Sequence, residues 1–338
     1  MSKVQEKDDN GISRLYHGDN LKILSELKKD REVFGKVRLV YIDPPFGTRQ
    51  NFTFANGRHS TISRARGGEN AYQDMLSGKE YLEFLRPRLS LLKDLLAEDG
   101  SIYVHIDCKA GHYVKVLMDE IFGENNFRND ITRIKCNPKN FKRNGYGNVK
   151  DMILFYSRGK KPVWNPPTEP FLYEDLVRLF PKIDQEGNRY TTTPLHAPGE
   201  TRDGPSGKKW KGMKPPPGRH WRYSPDVLSE LDENGHIEWS STGNPRKKKF
   251  ADEAEAAGKY LQDVWVFKDP AYPSYPTEKN PEMLKVIVKA SSNPGDLVLD
   301  CFCGSGTALA AANELGRQWI GIDASESAVT ACQQKLRP

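Results

Sequence analysis

Residues 37–42, Val-Arg-Leu-Val-Tyr-Ile, form a nearly continuous apolar run that breaks off at Asp43-Pro44-Pro45-Phe46. A short run rich in β-branched side chains reads as a strand covered on both faces, as inside a parallel sheet. Parallel neighbours need long crossovers, usually helices. The chain supplies them. Apolar residues at 81, 82, 84, 85, 89, 92, 95 and 96 predict a helix over 80–97. Further helices are predicted over 21–28, 112–122, 281–291, 307–315 and 325–336, and strands over 14–17, 102–106, 152–156, 297–300 and 319–323. This alternation predicts an α/β fold with a Rossmann-like, doubly wound parallel sheet.

Two stretches break the pattern. Residues 50–78 lack a period and read as a long loop. From 160 to 270 prolines and glycines dominate, and five of the six tryptophans lie there, of which Trp210, Trp221 and Trp239 read as a small core of that stretch. The segment KPPPGRHW (214–221) excludes a helix. The expected organisation is therefore one half-domain over 1–162, an insertion over 163–270 and a second half-domain over 271–338.

Charge is unevenly spread. The run 133–161 holds nine basic residues and one acid, and 202–222 holds seven and one, within a chain of net charge +6. A positive middle in an otherwise acidic chain suggests a polyanion-binding surface. No apolar run reaches membrane-spanning length, and the polar start MSKVQEKDDNG is neither a secretory signal nor a transit peptide. The five cysteines form no CxxC pair and no histidine cluster adjoins them, so no metal site is expected and free thiols in a reducing cytoplasm are.

Two motifs carry chemistry. Asp300-Cys301-Phe302-Cys303-Gly304-Ser305-Gly306-Thr307 lies between a strand and a helix, and Gly321-Ile322-Asp323 ends the next strand. Glycines let backbone approach a ligand, and an acid at that strand end can accept bonds from ribose hydroxyls. A dinucleotide-dependent dehydrogenase is one candidate, although Leu309 breaks the G-x-G-x-x-G spacing. The second motif is Asp43-Pro44-Pro45-Phe46. Its prolines remove two N–H donors and leave carbonyls free. An acidic acceptor, a rigid carbonyl and an aromatic ring suit a flat heterocycle bearing an NH₂ group.

Together with LYHGDNLKIL (15–24), VYIDPPFGT (40–48), DGSIYVHID (99–107), YVKVLMDEIFGENNF (113–127) and 275–323, these motifs resemble the β-group of DNA amino-methyltransferases. The modification subunits of type III restriction systems and their solitary relatives are the most similar. The resemblance implies a class I S-adenosylmethionine-dependent methyltransferase fold in circularly permuted order, with an inserted target-recognition region. It implies methyl transfer to N6 of adenine, on a base flipped out of double-stranded DNA. Asp43, Pro44, Pro45 and Phe46 would be catalytic. Asp300, Phe302, Gly304, Ser305, Gly306, Thr307 and Asp323 would bind S-adenosyl-L-methionine, with Thr277 and Lys279 at its methionine end. Phe46 replaces the commoner Tyr and Cys301 a common Pro. Expected DNA contacts are Arg58, Arg64 and Arg66 in the long loop, and Lys208, Lys209, Lys211, Arg219, Arg222 and Arg246 in the insertion. The expected setting is the cytoplasm of a bacterium, or a phage-encoded protein there. A restriction subunit or a second copy of the chain is an open partner. Cytosine-N4 methylation stays open as an alternative activity, disfavoured by Asp43 where that group usually has Ser. A non-catalytic DNA-binding or specificity subunit stays open as well.

Overall fold

A computed structural model describes residues 2–6, 13–45, 51–53, 70–73, 78–138, 140, 142, 144–201, 203–271, 275 and 278–337, with backbone alone for 2–6, 51–53 and 70–73. It divides into two compact units, Met1–Pro167 with Gln262–Pro338, and Thr168–Leu261.

The first unit is built on a sheet whose described strands lie in the order Ser2–Glu6, Ser13–His17, Gln318–Asp323, Leu297–Asp300, Val37–Ile42, Leu96–Ile106, Lys150–Ser157, Phe127–Ile134, Val264–Val266. The five strands from Ser13–His17 to Leu96–Ile106 are mutually parallel. The expected all-parallel sheet is corrected at its flank. Lys150–Ser157 runs antiparallel to both neighbours, because no helix separates it from Phe127–Ile134, and without a crossover adjacent strands must reverse. Only the last two residues of the strand 127–134 fall in the stretch read as a basic run.

Alternation sorts the side chains by face. Val40, Ile42, Ile102, Val104, Ile106, Leu154 and Tyr156 form one aliphatic core with Leu24, Leu85, Leu89, Leu92, Leu117 and Met118. These last come from helices Asn20–Leu27, Lys79–Leu95 and Gly111–Phe122. On the opposite face Tyr103 reaches Ser291 of helix Pro281–Ser291 (2.8 Å). Helices Thr307–Glu314 and Glu326–Leu336 complete the unit.

Chain order reverses between Leu297–Asp300 and Val37–Ile42. From the first the chain crosses to Gln318–Asp323, and from the second to Leu96–Ile106. Such a switch point opens a crevice at the carboxyl ends of the two strands, where ligands bind in open α/β sheets.

The second unit corrects the boundaries expected for the insertion. Residues 262–270 belong to the first unit, because Val264–Val266 pairs with Phe127–Ile134. Within 168–261 a four-stranded antiparallel sheet has the order Lys182–Ile183, Arg189–Pro194, Pro245–Phe250, Ile237–Trp239. Its small core joins Leu195, Trp210, Trp221, Leu228 and Ile237. Trp239, expected in that core, is 40% exposed and stacks on Trp210 from outside, at 5.5 Å.

Candidate active site

Asp43 and Asp300 follow the carboxyl ends of two adjacent, hydrogen-bonded strands, although 257 positions separate them in the chain. The switch point thus joins the two motifs.

At the first strand end, Asp43 Oδ2 forms a close ion pair with Lys279 Nζ. Asp43 Oδ1 is buried and has no hydrogen-bond partner among the described residues. A buried acceptor left unpaired costs about 1–3 kcal/mol, so this atom is poised to take a donor. Pro44 is buried and Pro45 half-buried. Phe46 and Thr277 lie outside the described residues.

At the second strand end, Asp300 is buried and its Oδ1 accepts the Phe302 N–H (3.0 Å). Cys303 N–H donates to the Ile322 carbonyl (3.1 Å) and Gly306 N–H to that of Cys303 (2.7 Å). The loop then turns into helix Thr307–Glu314 through Gly306, whose φ is +76°. A Cβ at Gly306 would stand 2.3 Å from Cys332 Sγ, so conformation and space both demand glycine there. Cys301 and Cys303 are buried. Burial pushes the Cys301 thiol up, and the Cys332 contact and burial push up that of Cys303, which makes both packing groups rather than nucleophiles.

Asp323 does more than the sequence suggested. Its Oδ2 accepts Gly304 N–H (2.9 Å) and its Oδ1 accepts Ser325 N–H (2.8 Å). The carboxylate therefore shapes the glycine loop, while each oxygen keeps a further lone pair for a ligand hydroxyl. Ser305 and Thr307 are buried and receive Lys335 Nζ at 3.2 and 3.0 Å, and Lys335 also pairs with Glu278 (2.5 Å). Both hydroxyls thus build the loop from within.

Sequence reasoning missed several supports. Asn20 Nδ2 donates to the Cys301 carbonyl (2.8 Å), and Arg88 Nε donates to Asn20 Oδ1 (2.7 Å). The Arg88 guanidinium lies over the Phe84 ring at 3.6 Å, and Phe84 packs on Phe302 at 6.1 Å. Asn20 lies inside the family-like stretch LYHGDNLKIL, which was its one signal. Arg88 and Lys335 have only helical spacing to mark them.

Burial raises Asp300 well above the usual carboxylate range, and the charges of Asp43 and Asp323 push it further. Burial raises Asp323 too, against its backbone N–H bonds. Three acids and the Lys279 ammonium thus converge on the crevice. The arrangement suits a ligand with positive charge and hydroxyls, beside a second ligand that donates N–H to Asp43.

The expected DNA contacts fall into three groups. Arg58, Arg64 and Arg66 lie outside the described residues. Lys208, Lys209, Arg219 and Arg222 are exposed, without a carboxylate at ion-pair distance among the described residues. Lys211 is committed to a close ion pair with Asp232, and Arg246 gives Nε and Nη2 to Thr192 Oγ1 and its carbonyl (2.8 and 3.0 Å). The 133–161 run is corrected in part. Arg133 is fully buried against Asp269, and Lys135 pairs with Asp151.

The second unit holds fifteen basic and fifteen acidic residues, so its positive surface arises from segregation. Acids concentrate on helices Pro225–Glu233 and Ala251–Ala257, and cations on strand Pro245–Phe250 and the 208–222 segment. A groove of about 610 Å³ in this unit is lined by Arg222, Lys247 and Lys249 with Phe180, Tyr223 and Glu253 among its walls.

The sequence profile described as DNA methylase matches residues 37–334. The chain is 47% identical over 296 residues to Type II methyltransferase M.EcaI of Enterobacter cloacae, covering 86% of this chain and 62% of that protein. It is 26% identical over 394 residues to the probable type III restriction-modification enzyme HindVI Mod subunit of Haemophilus influenzae, covering 95% of this chain and 49% of that one. The chain thus spans less than two thirds of either relative's length. Among solved structures, PvuII DNA methyltransferase (cytosine-N4-specific) superposes with a TM-score of 0.54 at 13% identity, covering 99% of this chain and 89% of the other. The M1.HpyAVI-SAM complex does so with a TM-score of 0.51 at 16% identity, over 96% and 98%. These two likenesses establish the fold.

Proposed function

The chain belongs to the DNA methylase family, and from that premise we propose that it transfers a methyl group from S-adenosyl-L-methionine to N6 of adenine in DNA. The observation that carries this reading is the buried, unpaired Asp43 Oδ1, set at the strand end next to the glycine loop.

The residues present fit the cofactor. Asp323 keeps lone pairs for ribose hydroxyls, and the backbone at Gly304, with open space where a Cβ would stand, leaves room for close approach. The acids at 43, 300 and 323 suit its sulfonium and amino charges. When bound, the cofactor supplies an electrophilic methyl on sulfur.

An aromatic amine is a weak nucleophile because its lone pair is shared with the ring. Asp43 Oδ1 accepts one amine N–H and the Pro44 carbonyl the other. Both bonds favour a pyramidal nitrogen whose lone pair faces the methyl. With the amine so held, the bound cofactor would supply the methyl and keep the electron pair of its S–C bond, and Asp43, already the acceptor of one N–H, would take up the proton the nitrogen releases. Holding the amine in line supplies much of the rate. Phe46 is the expected stacking ring for the flipped base, a contact worth about 1–3 kcal/mol.

The second unit is proposed to hold the duplex. Its uncompensated cations at 208, 209, 219, 222, 247 and 249 support phosphate contacts. The likeness to a Mod subunit favours a restriction subunit as a protein partner over a second copy.

Duplex DNA incubated with cofactor carrying a labelled methyl should gain base-linked label. Absence of label, with cofactor binding intact, would favour a DNA-binding subunit that has lost catalysis.

A further inference from the structure

The sheet face opposite the aliphatic core carries a line of buried polar groups. Tyr41, His105, Asp151 and Arg133 stand on four neighbouring strands and are all buried. The Tyr41 hydroxyl meets His105 Nδ1 at 2.9 Å, and His105 Nε2 lies 3.4 Å from Asp151 Oδ2. One neutral tautomer fits both contacts: Nδ1 accepts from the hydroxyl, and the protonated Nε2 faces Asp151 at ion-pair distance, short of hydrogen-bond geometry. Burial lowers the His105 pKa, in keeping with a neutral ring. Asp151 Oδ1 takes Lys135 Nζ (2.6 Å), and against its burial these partners hold the carboxyl well below the usual range.

The line continues. Arg133 is the cross-strand partner of Asp151. Its Nη2 donates to Asp269 (2.5 Å) and its Nε to the Phe267 carbonyl (2.8 Å). Asp269 N–H donates to the Lys135 carbonyl (2.8 Å). In the same segment the Lys268 carbonyl accepts Asn280 Nδ2 (2.9 Å). Asn280 caps helix Pro281–Ser291 and follows Lys279, the partner of Asp43. At its other end the line reaches Tyr41, two residues before Asp43 on the same strand. Both ends therefore arrive at one carboxylate.

Stability does not account for this line. Each buried ion carries a desolvation cost of about several kcal/mol, and packed apolar side chains often serve as well or better. The facing side of the same strands is aliphatic and shows that alternative.

We propose that His105 is a positioning residue for methyl transfer. Through Tyr41 it holds the strand that carries Asp43. Through Asp151, Arg133 and the 267–269 segment it holds the turn that carries Lys279. This inference rests on the methyl-transfer reading above.

Tyr41→Phe tests it without opening a cavity, since it deletes only the bond to His105. The expected result is a fall in kcat of about 10–100-fold, of the size a displaced reacting group causes, with KM for cofactor and DNA little changed. Backbone amides at 41–43 and 278–280 should exchange hydrogen faster together. His105→Gln, which can keep the contact with the Tyr41 hydroxyl, should recover part of the kcat lost in His105→Leu. If His105→Leu fails to fold, Tyr41→Phe carries the test alone. An unchanged kcat in folded Tyr41→Phe, or faster exchange at 41–43 without change at 278–280, would overturn the proposal. A wild-type protein that transfers no methyl would instead remove the methyl-transfer reading. The exchange comparison would still decide whether His105 holds both segments.

Discussion

The two units treat charge in opposite ways. In the first, a small set of ionisable groups is buried and tied to specific partners. Arg133, Asp151 and His105 lie inside the sheet, while Asp300 and Asp323 brace a glycine loop. In the second, with equal numbers of acids and bases, seven of the fifteen acids lie on two helices. The cations of 208–222 and 245–250 are left largely without carboxylates. Buried charge fixes geometry because every partner is specified. Exposed and uncompensated charge gives attraction over a distance, which salt weakens. A chemical centre needs the first, and a surface that holds a polyanion needs the second.

The contrast breaks most sharply at Asp43. Asp43→Ala should lower methyl transfer at least about 100–1,000-fold, the range for losing a key polar group at a reacting centre. Cofactor affinity, measured by calorimetry, should change little. Near-normal turnover would remove Asp43 from the mechanism. Asp323→Ala should do the reverse and weaken the cofactor about 10–100-fold, because charge-assisted bonds contribute about 1.5–3 kcal/mol. Unchanged affinity would show that Asp323 does not serve the ligand.

In the second unit the effects should be smaller and salt-dependent. Neutralising Lys208, Lys209 and Lys211 together should flatten the slope of log affinity against log salt by about 2 units, at about 0.9 per phosphate contact. Lys211 should add little, because Asp232 already holds it. Changing Lys247 and Lys249 to Ala should flatten the slope by a further 2 or so. Slopes unchanged in both variants would mean that these cations are only a solvated face.

The smallest effect sharpens the first unit. Asp300 has its pKa raised by burial from the ordinary 3.8. The folded state therefore holds that proton more tightly than the unfolded chain, and stability declines as pH rises from about 3.8 toward the folded value. Asn cannot ionise and keeps the acceptor for Phe302 N–H. Asp300→Asn should thus raise Tm by about 2–4 °C for each kcal/mol gained at pH 7, with little gain at pH 4. An equal change at both pH values would contradict the buried-acid account.

Much of the first unit was legible in the sequence. Apolar period, glycine loop and proline turn mark individual elements, and VRLVYI with Asp300–Thr307 locates both strand ends. What local pattern cannot show is which strands become neighbours. The meeting of Asp43 with Lys279, and the reversal at Lys150–Ser157, are products of long-range pairing. The strand Phe127–Ile134 was missed because its polar, charged sequence reads as surface, yet Arg133 faces inward to carboxylates contributed by residues 151 and 269. In the second unit the tryptophan core at 210 and 221 was legible. Trp239 was misread because an aromatic ring can cover a core from outside as well as fill it.

The reaction proposed for the crevice between the two strand ends leaves its methyl on N6 of adenine. DNA treated with the protein and methyl-labelled cofactor can be digested to nucleosides and separated by mass spectrometry. Label is expected in N6-methyldeoxyadenosine, and none there with Asp43→Ala. Label in N4-methyldeoxycytidine would contradict it.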